Sequence, residues 1–222
     1  LPQDDPEQKE EEPPRDGNVN ADGEMISGIF EMPITDESYP FSSAERYCHL
    51  SAKDYVEREY RVDGTANVYR TADEDGGVEV MTADAPYSNR IVVRAPKNPA
   101  QASGNVVVEI INPTSFMEIE RMWILGHGEF VRSGDIYVGI TSKPNTIAKL
   151  KEFNPDRYAF MSWANPTPER PFNFDPVDLE RGGALPDMDL TYETGLFWDM
   201  LTDLAWLLRG DSELNPIRDY PR

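Results

Sequence analysis

Few residues in this sequence have side chains suited to acid–base, nucleophilic or metal chemistry. Histidine occurs only at positions 49 and 127, and Cys48 is the single cysteine. Cys48 and His49 are neighbours, and adjacent side chains rarely face each other, so a Cys–His dyad is not favoured. One cysteine excludes an internal disulfide and Cys-based zinc sites. The two histidines also lack the H-E-x-x-H spacing of a zinc protease, so we expect no metal and no cofactor.

Carboxylate pairs are too frequent in this sequence to indicate a site. Among 41 Asp and Glu residues, close pairs such as Glu118/Glu120 and Asp187/Asp189 arise by chance, and we expect them on the solvated surface. His127 allows two interpretations. It either bonds to a neighbouring segment as an ordinary helical histidine or lines a substrate crevice.

No complete nucleophile or phosphate motif occurs in the 222 residues. The serine nucleophile of an α/β hydrolase stands in G-x-S-x-G, because the glycines permit the strained turn that exposes its hydroxyl. That pentapeptide is absent from the sequence. The glycine-rich loops that bind dinucleotides or nucleoside triphosphates are absent as well. We therefore expect no catalytic residue of a Ser triad within these residues.

A polar loop after a strand is the best candidate for part of an active site. Asn112, Thr114 and Ser115 follow an apolar segment, and loops at the carboxyl ends of parallel strands face the ligand crevice. The Asn112 amide and the backbone N–H groups of Thr114 and Ser115 are candidate oxyanion-hole donors. Ser142 and Lys143 follow the next strand and are candidate crevice residues, together with His127. The alternative is that these residues only form turns.

A β-α-β unit must position this crevice. Residues 105–111 are almost continuously apolar, which is typical of a central strand covered on both faces. Apolar residues at helical spacing over 116–130 predict a helix that ends at Ser133 and Gly134. Residues 135–141 predict a second buried strand. A strand, a helix and a strand in this order predict a parallel pair.

The flanking segments predict antiparallel strands and two further helices. Alternation over 55–62, a turn signal at Asp63–Gly64 and a returning strand over 65–71 indicate a hairpin. Residues 87–95 alternate again. A short helix is expected near Thr146–Phe153. A longer one is expected over Thr191–Arg209, with Thr191 or Asp189 as its N-cap and Gly210 beyond its end.

The charge and the ends of the chain exclude some functions and favour others. A net charge of −20 argues against nucleic acid, whose phosphates need clustered Lys and Arg. No apolar run reaches the 18 residues or more of a membrane span. Residues 1–24 hold nine acidic residues against two basic ones, which predicts a disordered acidic tail. Leu1 in place of Met, together with the lone cysteine, weakly favours a secreted or periplasmic protein.

Five segments, taken in order and spacing, carry a resemblance to a known family. They are DYVEREYRVDGTANVY at 54–69, YSNRIVVRAP at 87–96, GNVVVEIIN at 104–112, GDIYVGITSKP at 134–144 and DRY at 156–158. From about Leu50 to Leu208 the chain resembles a family of bacterial α/β-hydrolase-domain proteins with a long N-terminal β region. The sequence Ile110–Pro113 departs from the family, which has a more aromatic, Gly-containing version there.

The resemblance implies a fold and an activity. Residues 25–222 would be the N-terminal part of an α/β-hydrolase domain, in which an antiparallel hairpin region leads into a parallel β-α-β core. The activity would be that of a Ser-dependent carboxylic ester hydrolase acting on a small-molecule ester. Its nucleophile follows the helix that Thr191–Arg209 resembles, so we expect it beyond Arg222.

Two further expectations concern the chain as it stands. Alone it would be inactive, and a C-terminal half or second chain would complete it by binding the free sheet edge and the apolar face of Thr191–Arg209. A non-catalytic binding or scaffold protein on a truncated α/β sheet is the alternative.

Overall fold

The computed structural model describes residues 25–39, 48–71, 77–168 and 191–221. Within these residues, five strands form one mixed sheet in the order β1-β2-β3-β5-β4. Their bounds are β1 Ile26–Met32, β2 Tyr55–Thr71, β3 Val78–Pro96, β4 Val106–Ile110 and β5 Ile136–Ile140. The predicted acidic tail, residues 1–24, and the pair Asp187/Asp189 lie outside the described residues.

The helices connect and cover these strands. They are α1 Arg121–Ser133, α2 Pro144–Phe153, α3 Pro155–Tyr158 and α4 Leu196–Arg209. Short 3₁₀ turns occur at Leu50–Lys53, Pro99–Gln101 and Thr114–Phe116. In the part of the chain that the structure describes, no helix is long and apolar enough to cross a membrane.

The β-α-β unit of the sequence prediction is confirmed. β4 and β5 are parallel and joined by α1, whereas the pairs β1–β2, β2–β3 and β3–β5 are antiparallel. α1 ends at Gly134, which has a left-handed φ of 79° as a helix C-terminus favours. The helix begins at Arg121 rather than near Phe116, because the preceding residues form a separate loop. α4 likewise begins at Leu196 rather than Thr191.

The position of β4 differs from the prediction of a central strand. β4 lies at one edge of the sheet that the described residues form, and Val106, Val107 and Val108 are only half-buried. β5, in contrast, lies inside the sheet and is buried along its whole length. An apolar run alone does not distinguish these two positions.

The predicted hairpin turn at Asp63–Gly64 is wrong. β2 continues through both residues, which pair with Ser88 and Tyr87 of β3. A Cβ on Gly64 would lie 2.4 Å from the carbonyl oxygen of Met25, at the start of β1. The glycine therefore allows β1 to approach β2 closely, which is another common reason for Gly in a strand.

One face of the sheet packs against α4 and is apolar. Its buried residues include Ile91 and Val93 of β3, Val138 of β5, and Met200 and Leu204 of α4. The apolar face of α4 was expected to be free for a second half of the enzyme. It is instead covered by the sheet of this chain.

The opposite face of the sheet, here called the charged face, is also buried although it carries ions. Glu59, Arg90, Arg94 and Glu109 are each 2% exposed or less, and the Glu57 side chain is 5% exposed. The alternation in β2 correctly separates Glu57 and Glu59 from the apolar Tyr60 and Val62. Because buried charges must be paired, this face needs internal partners for each ion.

Candidate functional site

The structure brings the two predicted crevice segments together. β4 and β5 end side by side, with Ile110 opposite Ile140. The segment after β4, Ile111–Glu120, is called the strand-end loop. Its Ile111 N–H donates to the Ile140 carbonyl over 3.0 Å, and the Ser142 hydroxyl donates to the Ile111 carbonyl over 2.6 Å. The loops that follow the two parallel strands are thus joined at their bases.

The strand-end loop closes on itself. Asn112 and Ile119 exchange backbone hydrogen bonds of 3.2 and 3.0 Å. Inside this closure the Thr114 N–H donates to Asn112 Oδ1 over 2.8 Å, and the Phe116 N–H donates to the Pro113 carbonyl. Phe116 has a left-handed φ of 57°, which is costly for an aromatic residue. The loop has a closed base and a strained, exposed tip.

The predicted site residues fall into two groups. Asn112, Thr114 and Ser115 lie in the strand-end loop, with Ser142 buried against its base. Lys143 is exposed at the N-cap position of α2.

His127 lies within α1, away from the ends of the strands in sequence. Its Nδ1 donates to the Trp123 carbonyl of its own helix over 3.1 Å. This bond lies within its own helix and not with the neighbouring segment of the first interpretation, and a crevice role for His127 stays a prediction.

Two residues of the strand-end loop that the sequence suggested were on the surface are buried. Glu118 and Glu120 are 2% and 3% exposed. Glu118 pairs with Arg90, and Glu120 accepts two hydrogen bonds of 3.0 and 2.8 Å from Arg94 Nη2. The expectation that this pair is solvated is therefore wrong. The signal lay in β3, where two arginines interrupt an otherwise buried segment and so require buried anions.

The amino-acid sequence of this fold matches a known family. A family model described as "Alpha/beta hydrolase domain" matches residues 27–221. The chain belongs to the α/β-hydrolase domain family. The predicted α/β fold is thereby confirmed, and the match supports a hydrolase. No curated protein and no solved structure matches the chain.

In this α/β-hydrolase domain Arg90 of β3 also has partners outside the strand-end loop. Arg90 also pairs with Glu59, which in turn pairs with Arg157 of α3. The Tyr158 hydroxyl donates to the same Glu59 carboxylate over 3.0 Å. The ion beneath the strand-end loop is thus one member of a connected buried network.

Arg94 of the hydrolase domain is fixed by a different set of partners. Its Nε donates to Glu57 over 2.6 Å. Its guanidinium lies 4.5 Å from the Trp123 ring centroid and 5.1 Å from that of Tyr137. Arginine suits such a site, because its planar group stacks on aromatic rings while its N–H groups bind carboxylates.

The pKa shifts of the network differ among its carboxylates. Burial raises the pKa of Glu118 and of Glu120 above the ordinary value, although Arg90 and Arg94 act in the opposite direction. Burial would also raise the pKa of Glu59, but Arg90 and Arg157 outweigh it, and that pKa lies below its ordinary value. All three carboxylates are paired with arginines inside the protein.

A third buried carboxylate fixes the exit from the strand-end loop. Glu109 of β4 accepts the N–H groups of Met122 and Trp123, over 2.8 and 3.1 Å, at the first turn of α1. The Tyr137 hydroxyl donates to it over 2.6 Å. The first N–H groups of a helix lack partners within it, and a carboxylate there is favourable. Glu109 thereby ties the start of α1 to the sheet of the hydrolase domain.

No cluster in the described residues has the composition of a metal site. No group of three or more His, Cys, Asp or Glu residues among them is arranged to hold an ion. The strand-end loop of this α/β-hydrolase domain can offer hydrogen-bond donors at its surface. The ions beneath it are already paired with one another.

Proposed function

We propose that this chain is the N-terminal part of a Ser-dependent carboxylic ester hydrolase that acts on a small-molecule ester. The observation that carries the proposal is the strand-end loop at the carboxyl end of a parallel strand, in a chain of the α/β-hydrolase domain family. Such folds take one oxyanion donor from the loop in this place. The nucleophile, its base and its acid would lie beyond Arg222.

The reaction would be acyl transfer. A serine attacks the ester carbonyl, a histidine takes its proton, and water later hydrolyses the acyl-enzyme. The strand-end loop would stabilise the negative charge that develops on the carbonyl oxygen. Its candidate donors remain the Asn112 amide and the backbone N–H groups of Thr114 and Ser115.

The bond from Thr114 to Asn112 bears on which donor acts. The Thr114 N–H is directed at Asn112 Oδ1, so it is free for an oxyanion only if the Asn112 side chain rotates. Rotation of the Asn112 side chain away from Thr114 would make both that N–H and the Asn112 amide available as donors to the oxyanion.

The outer edge of β4 is suited to pairing with a further strand of the enzyme. No described strand pairs with that edge, and Ile110 at its end is 48% exposed. Apolar side chains are also exposed nearby in sequence, with Phe116 at 60%, Met122 at 44% and Leu125 at 85%. Unpaired edges and apolar surface favour association with further chain. We propose that a C-terminal half or second chain adds to the sheet there.

Hydrolysis of a p-nitrophenyl ester tests whether the nucleophile lies outside residues 1–222. Purified residues 1–222 should release p-nitrophenol at the rate of buffer alone, because the nucleophile is absent from them. The whole natural protein, or the chain together with its second half, should release it at a measurable catalytic rate. Robust turnover by residues 1–222 alone would overturn the proposal that the nucleophile lies outside them.

A non-catalytic binding or scaffold protein is the second candidate. The observation in its favour is the absence of G-x-S-x-G from the 222 residues. The coding region downstream of Arg222 separates the two candidates. A strand followed soon by G-x-S-x-G supports the hydrolase. A stop codon without a neighbouring gene for a second half supports the scaffold.

A further inference from the structure

The buried ions of the charged face are directed at the strand-end loop. The loop leaves β4 at the edge of the sheet, yet its carboxylates meet arginines of β3, and β5 lies between these two strands. The pairs Arg90–Glu118 and Arg94–Glu120 therefore reach back across one whole strand. Arginine is long enough for this, and each arginine has a second carboxylate partner in β2, Glu59 for Arg90 and Glu57 for Arg94.

The spacing of Glu118 and Glu120 places both side chains on the same side of the strand-end loop. Side chains alternate along extended backbone, so residues 118 and 120 point the same way and residue 119 points the other way. Both glutamates are buried against the sheet, while the backbone of Ile119 between them bonds to Asn112. Fixing Glu118 and Glu120 thus fixes Ile119, and Ile119 in turn fixes Asn112.

Stability alone is a poor reason for such a network. Taking charges out of water is costly, and an apolar pair of similar volume often stabilises a protein equally well or better. Ion pairs do, however, require a defined geometry, since a slipped pair leaves an unpaired buried charge. The two ion pairs therefore select one position of the loop among several that apolar contacts would tolerate.

We propose that Arg90 with Glu118 and Arg94 with Glu120 are positioning pairs, which hold the strand-end loop and its Asn112 in one geometry for stabilising the oxyanion. The catalytic consequence rests on the proposed function. The positioning of the loop does not, and it can be measured without any substrate. The pairs themselves lie beneath the loop and do not touch the reacting atoms.

Backbone amide hydrogen exchange on the whole natural protein tests the proposal. The double variant E118L with R90M removes both partners and keeps an apolar filling, while Glu59 retains Arg157. Global stability should stay close to that of the original protein. The Ile119 and Asn112 amides should nevertheless exchange at least tenfold faster, whereas a β5 amide such as that of Val138 keeps its rate. E118Q should show the same local effect more weakly.

The matched control is E129Q, which removes an exposed carboxylate paired with Arg132 on α1. It should leave the strand-end loop unchanged. If the double variant E118L with R90M keeps both the stability of the original protein and the slow exchange of the Ile119 amide, the network is only structural and the proposal fails. If the double variant does not fold, E118Q decides, and exchange of Ile119 within twofold of the original rate overturns the proposal.

Ester hydrolysis by the same variants separates the two claims. Loss of positioning should lower kcat with little change in KM, because an oxyanion contact forms only in the transition state. Faster loop exchange in a protein whose original form hydrolyses no ester would contradict the proposed function and leave the positioning role intact. Unchanged exchange in an active esterase would contradict only the positioning role.

Discussion

Asp203 is a buried carboxylate with a different environment from those of the charged face. It lies on the sheet-facing side of α4, is 3% exposed, and its buried Oδ2 accepts no hydrogen bond from any described residue. Asp199 lies one turn earlier on the same helix. Tyr69 of β2 and Tyr87 of β3 lie near Asp203. Burial, with a smaller contribution from Asp199, raises the pKa of Asp203 to about 7.

This raised pKa predicts a stability that falls as pH rises. The folded state binds the Asp203 proton more tightly than the unfolded state, whose pKa is about 3.9. The free energy of unfolding therefore decreases between about pH 4 and pH 7. Asp203→Asn removes this loss. Its gain in the free energy of unfolding, from urea denaturation, should be about 2 kcal/mol larger at pH 8 than at pH 5.

The control for this measurement is Asp219→Asn, because Asp219 is 85% exposed and lies near Arg218 on the surface. It should change stability by less than about 0.5 kcal/mol at either pH. A gain from Asp203→Asn that is the same at pH 5 and pH 8 would show that the Asp203 carboxyl titrates normally.

The positions of the candidate site residues, but not their roles, follow from the sequence. Asn112, Thr114 and Ser142 were selected because they follow strands, and strand ends are where the fold brings loops together. The roles of Glu118 and Glu120 were missed, because nothing local distinguishes a buried glutamate from an exposed one. Their partners lie in β3, and the pairing appears only once the strand order places β3 beside β5.

Among the secondary-structure elements, β5 and the end of α1 were predicted well. β5 is buried along its whole length, as its apolar run predicted, although the same reasoning was wrong for β4. Gly134 follows the last helical residue as expected. The turn at Asp63–Gly64 failed, because a glycine in a strand signals either a turn or a close neighbour. Only the position of β1, which the sequence did not reveal, decides between them.

Gly64→Ala tests the close approach of β1. The added Cβ would lie 2.4 Å from the Met25 carbonyl oxygen and 2.8 Å from the Tyr87 hydroxyl. Backbone atoms cannot yield cheaply, so the free energy of unfolding should fall by about 2 kcal/mol or more. Urea denaturation followed by circular dichroism measures the change.

Gly128→Ala in α1 is the matched substitution with the opposite expectation. Open space surrounds its Cβ position, and alanine favours a helix over glycine by about 1 kcal/mol. It should therefore leave the protein equally stable or stabilise it slightly. If Gly64→Ala is as well tolerated as Gly128→Ala, β1 does not pack closely on β2.

Within the described residues, both faces of the sheet are covered, and β1 and β4 are its two edge strands. α4 covers the apolar face of the sheet, and α1 with the strand-end loop covers the charged face. The outer edge of β4 has no strand partner among the described residues, and it lies beside the loop that would stabilise an oxyanion. The sequence indicated the α/β class, and G-x-S-x-G does not occur in these 222 residues. The sequence did not indicate that the loop rests on a buried ionic network.

Labelling of the whole natural protein with a fluorophosphonate, followed by mass spectrometry of the labelled peptide, is the most direct test. This reagent forms a covalent bond with an activated serine of a hydrolase. We expect one labelled serine in a G-x-S-x-G segment beyond Arg222, and none in residues 1–222. A label within residues 1–222, or no label on any polypeptide of the native protein, would contradict a Ser hydrolase divided in this way.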